Sequence, residues 1–267
     1  ALPVFFLAVA IFWLSLLLTI NLRHSPESYE GIELLYTQVE GVDSLELAHT
    51  AKNMHHHGLS MNIRYASQPH ITLKVKNVEK PETAIKQLFI RQGKRLILQP
   101  ESHHSNDENT DDNENTEKEP WRIKEIILPL HINHLHTNGI ELNISENIAN
   151  DQNDAINLTL PELHIESEDT SVKLNNIHVI YLNIRNRYNK ESCTVESEHS
   201  YHYSDRIVVY RKAKIDSLFI ESVYGYIDLQ NSAPIRSIHL KTTPETGMEL
   251  DRLDSYQRMR WEPLPTP

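Results

Sequence analysis

The side chains of this sequence with the most chemistry in them are its 16 histidines. Imidazole is the commonest metal ligand and the group that titrates nearest neutrality, so spacing decides what it can do. "HHH" at 55–57 stands beside "AKNM" in a loop-like stretch, and adjacent histidines on a strand would point to opposite faces. His103 and His104 lie inside an acidic run, and His131, His134 and His136 are interleaved with apolar positions. No cysteine or carboxylate stands at a ligand spacing from them, so neither a built metal site nor any other cofactor is expected. Cys193 is the single cysteine, which excludes a disulfide framework and a multi-cysteine zinc site. It falls in an apolar slot of the pattern described below and reads as a small core residue.

Catalytic signatures are missing. The sequence holds no G-x-S-x-G, no H-E-x-x-H and no phosphate-binding loop. Carboxylates abound by composition, 37 Asp and Glu against 26 Lys and Arg, so no pair singles itself out as acid and nucleophile. The formal net charge of −11 excludes a broad nucleic-acid surface, which would need a cationic footprint. The chain reads as non-enzymatic, acting by binding. Asn143 and Asn157 begin "NIS" and "NLT" sequons and matter only where glycosylation operates.

The elements that carry these residues begin with a hydrophobic segment. "LPVFFLAVAIFWLSLLLTINL", residues 2–22, has no charge and as a helix spans about 30 Å, the thickness of a bilayer's hydrocarbon core. Its apolar run is too long for a cleaved signal core, and no A-x-A-like site follows, so residues 1–23 are expected to be a retained transmembrane signal anchor. The large acidic part that follows suits export, leaving a short cytoplasmic N-terminus. Residues 30–100 read as strands, among them "SLELAH", "LSMNIRY", "ITLKVKNV" and a hairpin "QLFI" and "RLILQ" around "RQGK". Residues 101–120 carry eight carboxylates, one lysine and no strong apolar residue, the composition of a disordered loop.

From 121 to 256 one skeleton recurs: apolar, two others, apolar, one other, apolar, then a gap and a second apolar pair. Its copies are Ile132, Leu135, Thr137, Ile140 and Leu142; Leu160, Leu163, Ile165, Val172 and Leu174; Ile177, Ile180, Leu182, Cys193 and Val195; Ile215, Leu218, Ile220, Ile227 and Leu229; and Ile235, Ile238, Leu240, Met248 and Leu250. Apolar residues separated by one lie on one strand face. Two such pairs per copy describe two short strands sharing a core, and stacked copies bury that core continuously. The predicted architecture is all-β, a β-solenoid or β-helix-like exported domain preceded by one transmembrane helix. A sandwich of antiparallel hairpins would use the same alternation but has no reason to keep the offset constant. Residues 257–267 are left as a C-terminal tail.

On these residues the chain resembles the GIN domain, the auto-transporter adhesin head domain of bacterial exported proteins. "VDSLELAH", "LSMNIRYASQPHITLKVKN", "AIKQLFIRQGKRLILQP" and rungs such as "IDSLFIESVYGYIDLQN" carry the likeness across residues 40–250. The Ser-Gly pairs usual at that family's rung turns are missing here; "TNG" at 137–139 and "VYG" at 223–225 come nearest, and Asn, Ser and Asp take the role elsewhere. The resemblance implies an exported, membrane-associated β-solenoid that acts by adhesion.

A solenoid's outward residues stack into columns. The residue between the second and third apolar slots reads His136, His164, Tyr181, Phe219 and His239, a strip of rings proposed as a partner-binding face. The matching column of the other strand reads Glu141, Lys173, Thr194, Asp228 and Glu249, a solvated face. Three functions fit: an adhesin-like or envelope-surface binding module, an accessory subunit docked on a larger membrane complex, or a polysaccharide-acting enzyme on a β-helix scaffold. The first is preferred, with the membrane and an envelope protein as partners and no nucleic acid.

Overall fold

The computed structural model of the chain describes residues 32–47, 60–76, 85, 88–98, 122–146, 158–168, 170–187, 206–230, 235–244, 246–250 and 259–265. The expected membrane helix, "HHH" at 55–57, the acidic loop 101–120, Asn157, Cys193, Thr194 and Val195 lie outside them. Among the described residues no helix is long and apolar enough to cross a membrane.

Two nine-stranded sheets make up the described part. The first runs, in spatial order, β1 (Ile32–Tyr36), β4 (Ile71–Lys76), β7 (Arg122–Pro129), β3 (Ser60–Ala66), β9 (Glu141–Glu146), β11 (Val172–Asn175), β13 (Arg206–Val209), β15 (Tyr226–Leu229) and β17 (Gly247–Leu250). The second runs β18 (Met259–Pro263), β16 (Ser237–Thr242), β14 (Lys214–Ser222), β12 (His178–Arg187), β10 (Thr159–Glu168), β8 (His134–Asn138), β2 (Ser44–Leu47), β6 (Arg95–Leu98) and β5 (Phe89–Gln92). The all-β reading agrees with this. Strands from residues 32–98 and from 122–263 share the same sheets, so the chain does not change architecture at the acidic run.

From β8 onward the chain alternates between sheets, and each strand pairs in parallel with the strand two further on. Parallel pairing in register lines up like slots. Leu163, Leu182, Leu218 and Ile238 form one inward file in the second sheet, and Ile165, Ile184, Ile220 and Leu240 the next. Leu142, Val172, Ile207 and Ile227 form a file in the first sheet, with Ile144, Leu174, Val209 and Leu229 beside it. All of these side chains are buried and belong to one continuous core drawn from both sheets. Burying each Leu or Ile contributes about 1.5–3 kcal/mol relative to exposure, and neighbouring strands are needed to complete that burial.

A third inward file explains how the strands end. Thr137, Ser167, Asn186, Ser222 and Thr242 stack in register and are buried. Their polar atoms hold the corner where the chain leaves the second sheet. Thr137 Oγ1 donates to the Ile140 carbonyl (2.8 Å), Ser222 Oγ to the Tyr224 carbonyl (2.6 Å), and Ser167 Oγ to Asn186 Oδ1 (3.3 Å). Two of the turns that follow use left-handed backbone at Gly139 (φ 70°) and Gly225 (φ 95°), so "TNG" and "VYG" do mark this corner, while Asn176 (φ 51°) takes the same conformation at the opposite corner, between β11 and β12. At the other end, "RQGK" makes the expected antiparallel hairpin of β5 and β6, and β1, β4 and β7 pair antiparallel.

Three expectations need correction. In the third copy, Val179, Leu182 and Ile184 occupy the inward slots, while Ile180 points outward and is 47 % exposed. Its second strand is β13, with Ile207 and Val209 inward, in place of Cys193 and Val195. The first copy is also displaced by two: Leu135 pairs with Ile165, and Leu142 and Ile144 replace Ile140 and Leu142 in the return strand. Finally, the expected tail contributes β18, which pairs with β16.

Candidate functional site

The outward face of the second sheet carries the predicted ring strip, and the corrected registers redraw it. His164, Phe219 and His239 share one column as expected. Asn183 stands in that column where Tyr181 was expected, because Tyr181 pairs with Glu162 and Ser217 one slot earlier. At the other end the column continues to His134, which pairs with His164, while His136 pairs with Glu166 in the neighbouring column. The rings that do meet are His134 and His164, stacked at 4.5 Å with 7° between their planes. Tyr181 leans on His164 at 5.9 Å, and Phe219 meets His239 edge-on at 5.1 Å.

His136 belongs to a column of alternating charge: Glu46, His136, Glu166, Arg185, Glu221, Lys241 and Glu262. The Arg95 guanidinium bridges its first members, 2.6 Å from Glu46 and donating to His136 Nδ1 at 3.0 Å. That bond assigns the His136 proton to Nε2, which faces Glu168 at 3.9 Å. His164 is held the same way: Nδ1 accepts from Asn183 Nδ2 (3.4 Å) and Nε2 donates to Glu162 (3.4 Å). At the far end Glu262 collects Arg260 (2.9 Å), His239 (3.3 Å) and Lys241 (3.4 Å). Burial alone would raise the Glu262 carboxyl, but these cations outweigh it and hold it below the usual carboxylate range.

Between the two columns lies an open cleft of about 510 Å³, lined by Ser44, Arg95, His134, His136, His164, Glu166, Asn183 and Arg185 with the backs of Leu135 and Ile165. Two polar atoms of its wall are orphaned. Asn183 Oδ1 and Arg185 Nε are shielded from solvent and have no hydrogen-bond partner among the described residues. A buried polar atom left unpaired costs about 1–3 kcal/mol, so an acceptor and a donor orphaned side by side point to something that satisfies both. The chemistry available is recognition: two guanidiniums, imidazoles fixed in one tautomer and an amide. Among the described residues no group of three His, Cys, Asp or Glu is placed to share a metal ion.

Compared with protein-family models, characterised proteins and solved structures, the chain matches none. The site therefore rests on its own geometry.

Of the predicted strip residues, His136 and His164 line the cleft; Phe219 and His239 sit further along the face, and Tyr181 stands beside the cleft on His164. His134, Asn183, Arg185, Glu166 and Arg95 were missed. A signal for them existed. Aligning the copies on the small polar slot of Thr137, Ser167, Asn186, Ser222 and Thr242 puts His134 beside His164 and Asn183 beside Phe219 without further information.

Proposed function

We propose that this chain is a non-enzymatic binding module: an exported β-solenoid tethered to a membrane by residues 2–22, with the outward face of its second sheet as the recognition surface. The solenoid reading is supported by the strict alternation of strands between two parallel sheets from β8 to β18. The tether is supported by a charge-free segment of bilayer length, and the adhesin-like or envelope-surface role by the resemblance to the GIN domain. The observation that carries the binding role is the cleft wall, where Asn183 and Arg185 line the hollow and each keeps an unpaired polar atom that a small side-chain movement would turn toward a visitor. A hydroxylated or amide-bearing group on a partner's surface supplies both the donor and the acceptor they lack, and the stacked imidazoles of His134 and His164 border the cleft with their ring edges.

The test is capture by the full chain in mild detergent, comparing wild type with Asn183→Ala/Arg185→Ala. The expected result is a molecule retained by the wild type and lost from the variant, whose melting temperature falls by no more than a few degrees because Arg185 is partly exposed. Retention unchanged in the variant would remove the cleft from the reading.

A further inference from the structure

We propose that β18 is a self-complementary edge through which two copies of this chain join by antiparallel pairing, Arg260 of each copy facing Glu262 of the other. This goes beyond the cleft and does not depend on it.

Among the described residues β18 is the last strand of the second sheet and pairs with β16 alone. The direction of its backbone groups follows from one bond. Leu264 N–H donates to the Thr242 carbonyl at 2.8 Å. In a parallel ladder alternate residues turn both backbone groups to the same neighbour, so Glu262 and Arg260 also face β16 while Met259, Trp261 and Pro263 face away. The outer edge thus offers the N–H and C=O of Met259 and Trp261, an unpaired template of the kind other chains add to. Pro263 has no N–H, but it sits at an outward position, where a proline removes one bond and leaves those of Trp261 intact.

A two-fold axis through Trp261 makes this edge pair with itself. Trp261 then opposes Trp261 of the second copy as a hydrogen-bonded pair, and Met259 opposes Pro263. Both copies of Arg260 fall opposite Glu262, because the two residues flank the axis symmetrically on the outer face. The interface is isologous and closes, so it yields a dimer and no fibre. Apolar matter is present on the other face: Trp261 is 53 % exposed and Met248 on β17 is 39 % exposed, although both occupy inward slots. β17 ends the first sheet one layer before β18 ends the second, and in the dimer the two indoles and two Met248 side chains fill that recess. Opposed aromatic pairs and opposite-charge pairs are the arrangements that stabilise antiparallel strands.

Within one chain Arg260 already lies 2.9 Å from Glu262, so a simple charge reversal cannot separate the internal pair from the intermolecular one. A complementary mixture can. The mass of the full chain in mild detergent is followed by sedimentation over a range of concentrations. Wild type should form a reversible dimer. Arg260→Glu alone and Glu262→Arg alone should each weaken it by about tenfold, since both cross-strand pairs turn repulsive. The double variant Arg260→Glu/Glu262→Arg should dimerise like wild type. An equimolar mixture of the two single variants should form mixed dimers, because one copy then offers two acids and the other two bases. Association through the membrane segment would ignore every one of these changes and would overturn the proposal. So would a wild type that stays monomeric with its β18 amides protected from exchange, which would mean that the chain itself covers the edge. Restoration in the double variant without mixed dimers would reduce the charges to an internal pair and sink it as well.

Discussion

The corrected register makes opposite demands on two isoleucines four residues apart. Ile184 is an inward residue of β12 with 0 % exposure, between Ile165 and Ile220, whereas Ile180 points outward and is 47 % exposed. Replacing isoleucine by alanine deletes three carbons, about 2.4 kcal/mol at roughly 0.8 kcal/mol each. At Ile184 the neighbours are fixed by strands on both sides, so a cavity term adds to this, and Ile184→Ala should cost about 3–4 kcal/mol. At Ile180 half of the side chain is already in water and no cavity forms, so Ile180→Ala should cost about 1 kcal/mol or less. Urea unfolding followed by circular dichroism reads the difference as a shift of midpoint at unchanged slope. A skeleton that places Ile177, Ile180 and Leu182 in the core predicts instead a core-sized loss at Ile180, as large as that at Ile184. Equal losses, or a larger loss at Ile180, would refute the pairing of β12 with β10 and β14.

Two further outcomes follow from single groups. The Tyr65 side chain is buried, burial pushes its phenol far above the ordinary range, and its hydroxyl has no hydrogen-bond partner among the described residues. Tyr65→Phe should therefore leave stability unchanged or raise it by about 1 kcal/mol in thermal unfolding, and a loss of that size would show the hydroxyl to be bonded. Glu262 has a depressed carboxyl in the folded chain, so its stabilising contribution is present above the unfolded value near 4.5 and is lost as pH falls through the lower folded value. Carboxyl NMR titration should find it below the other exposed glutamates, and Arg260→Ala should move it upward; no movement would separate the two charges.

The sequence showed which face of each strand is apolar, and it did so almost everywhere. It placed the copies beginning at Leu160, Ile215 and Ile235 in the register that the pairings of Leu163, Leu218 and Ile238 display. It misplaced the other two by two residues, and the reason is physical. Side chains on a strand repeat every second residue, so a slip of two leaves Leu182 and Ile184 of β12 and Leu135 of β8 on the face they were given, and the alternation there cannot detect it; only Ile180, which stands where the alternation of β12 breaks, changes face. Ile180, outward but apolar, completed a false match in β12, and Leu135 did the same in β8. Only a residue tied to the end of the strand breaks the degeneracy, which is what the buried Thr, Ser and Asn file does. The cleft was lost with the register, since an error of two moves a histidine from one outward column to the next. β18 was missed for another reason: "MRWEP" has few inward positions, and its proline reads as a stop where the edge in fact tolerates it.

Parallel stacking in register also decides which outward residues require a functional explanation. Each slot meets its equivalent about 4.8 Å away on both sides, so like charges in successive layers repel along the whole column. At about 4 Å a charge pair is worth about 1 kcal/mol in water and about 4 kcal/mol at an effective dielectric of 20. The column from Glu46 to Glu262 resolves this by alternating acid and base, with Arg185 beside Glu166 and Lys241 beside Glu262. That column is accounted for by the sheet's own electrostatics. The adjacent column of His134, His164, Asn183, Phe219 and His239 is not: His164 and His239 reach Glu162 and Glu262, but the column carries no alternation of acid and base of its own. The orphaned Asn183 Oδ1 lies in this column where imidazole gives way to amide, and the orphaned Arg185 Nε lies beside it. A sheet selected for stability alone gains nothing from leaving those two atoms unpaired at one place, and a surface that receives a ligand there does.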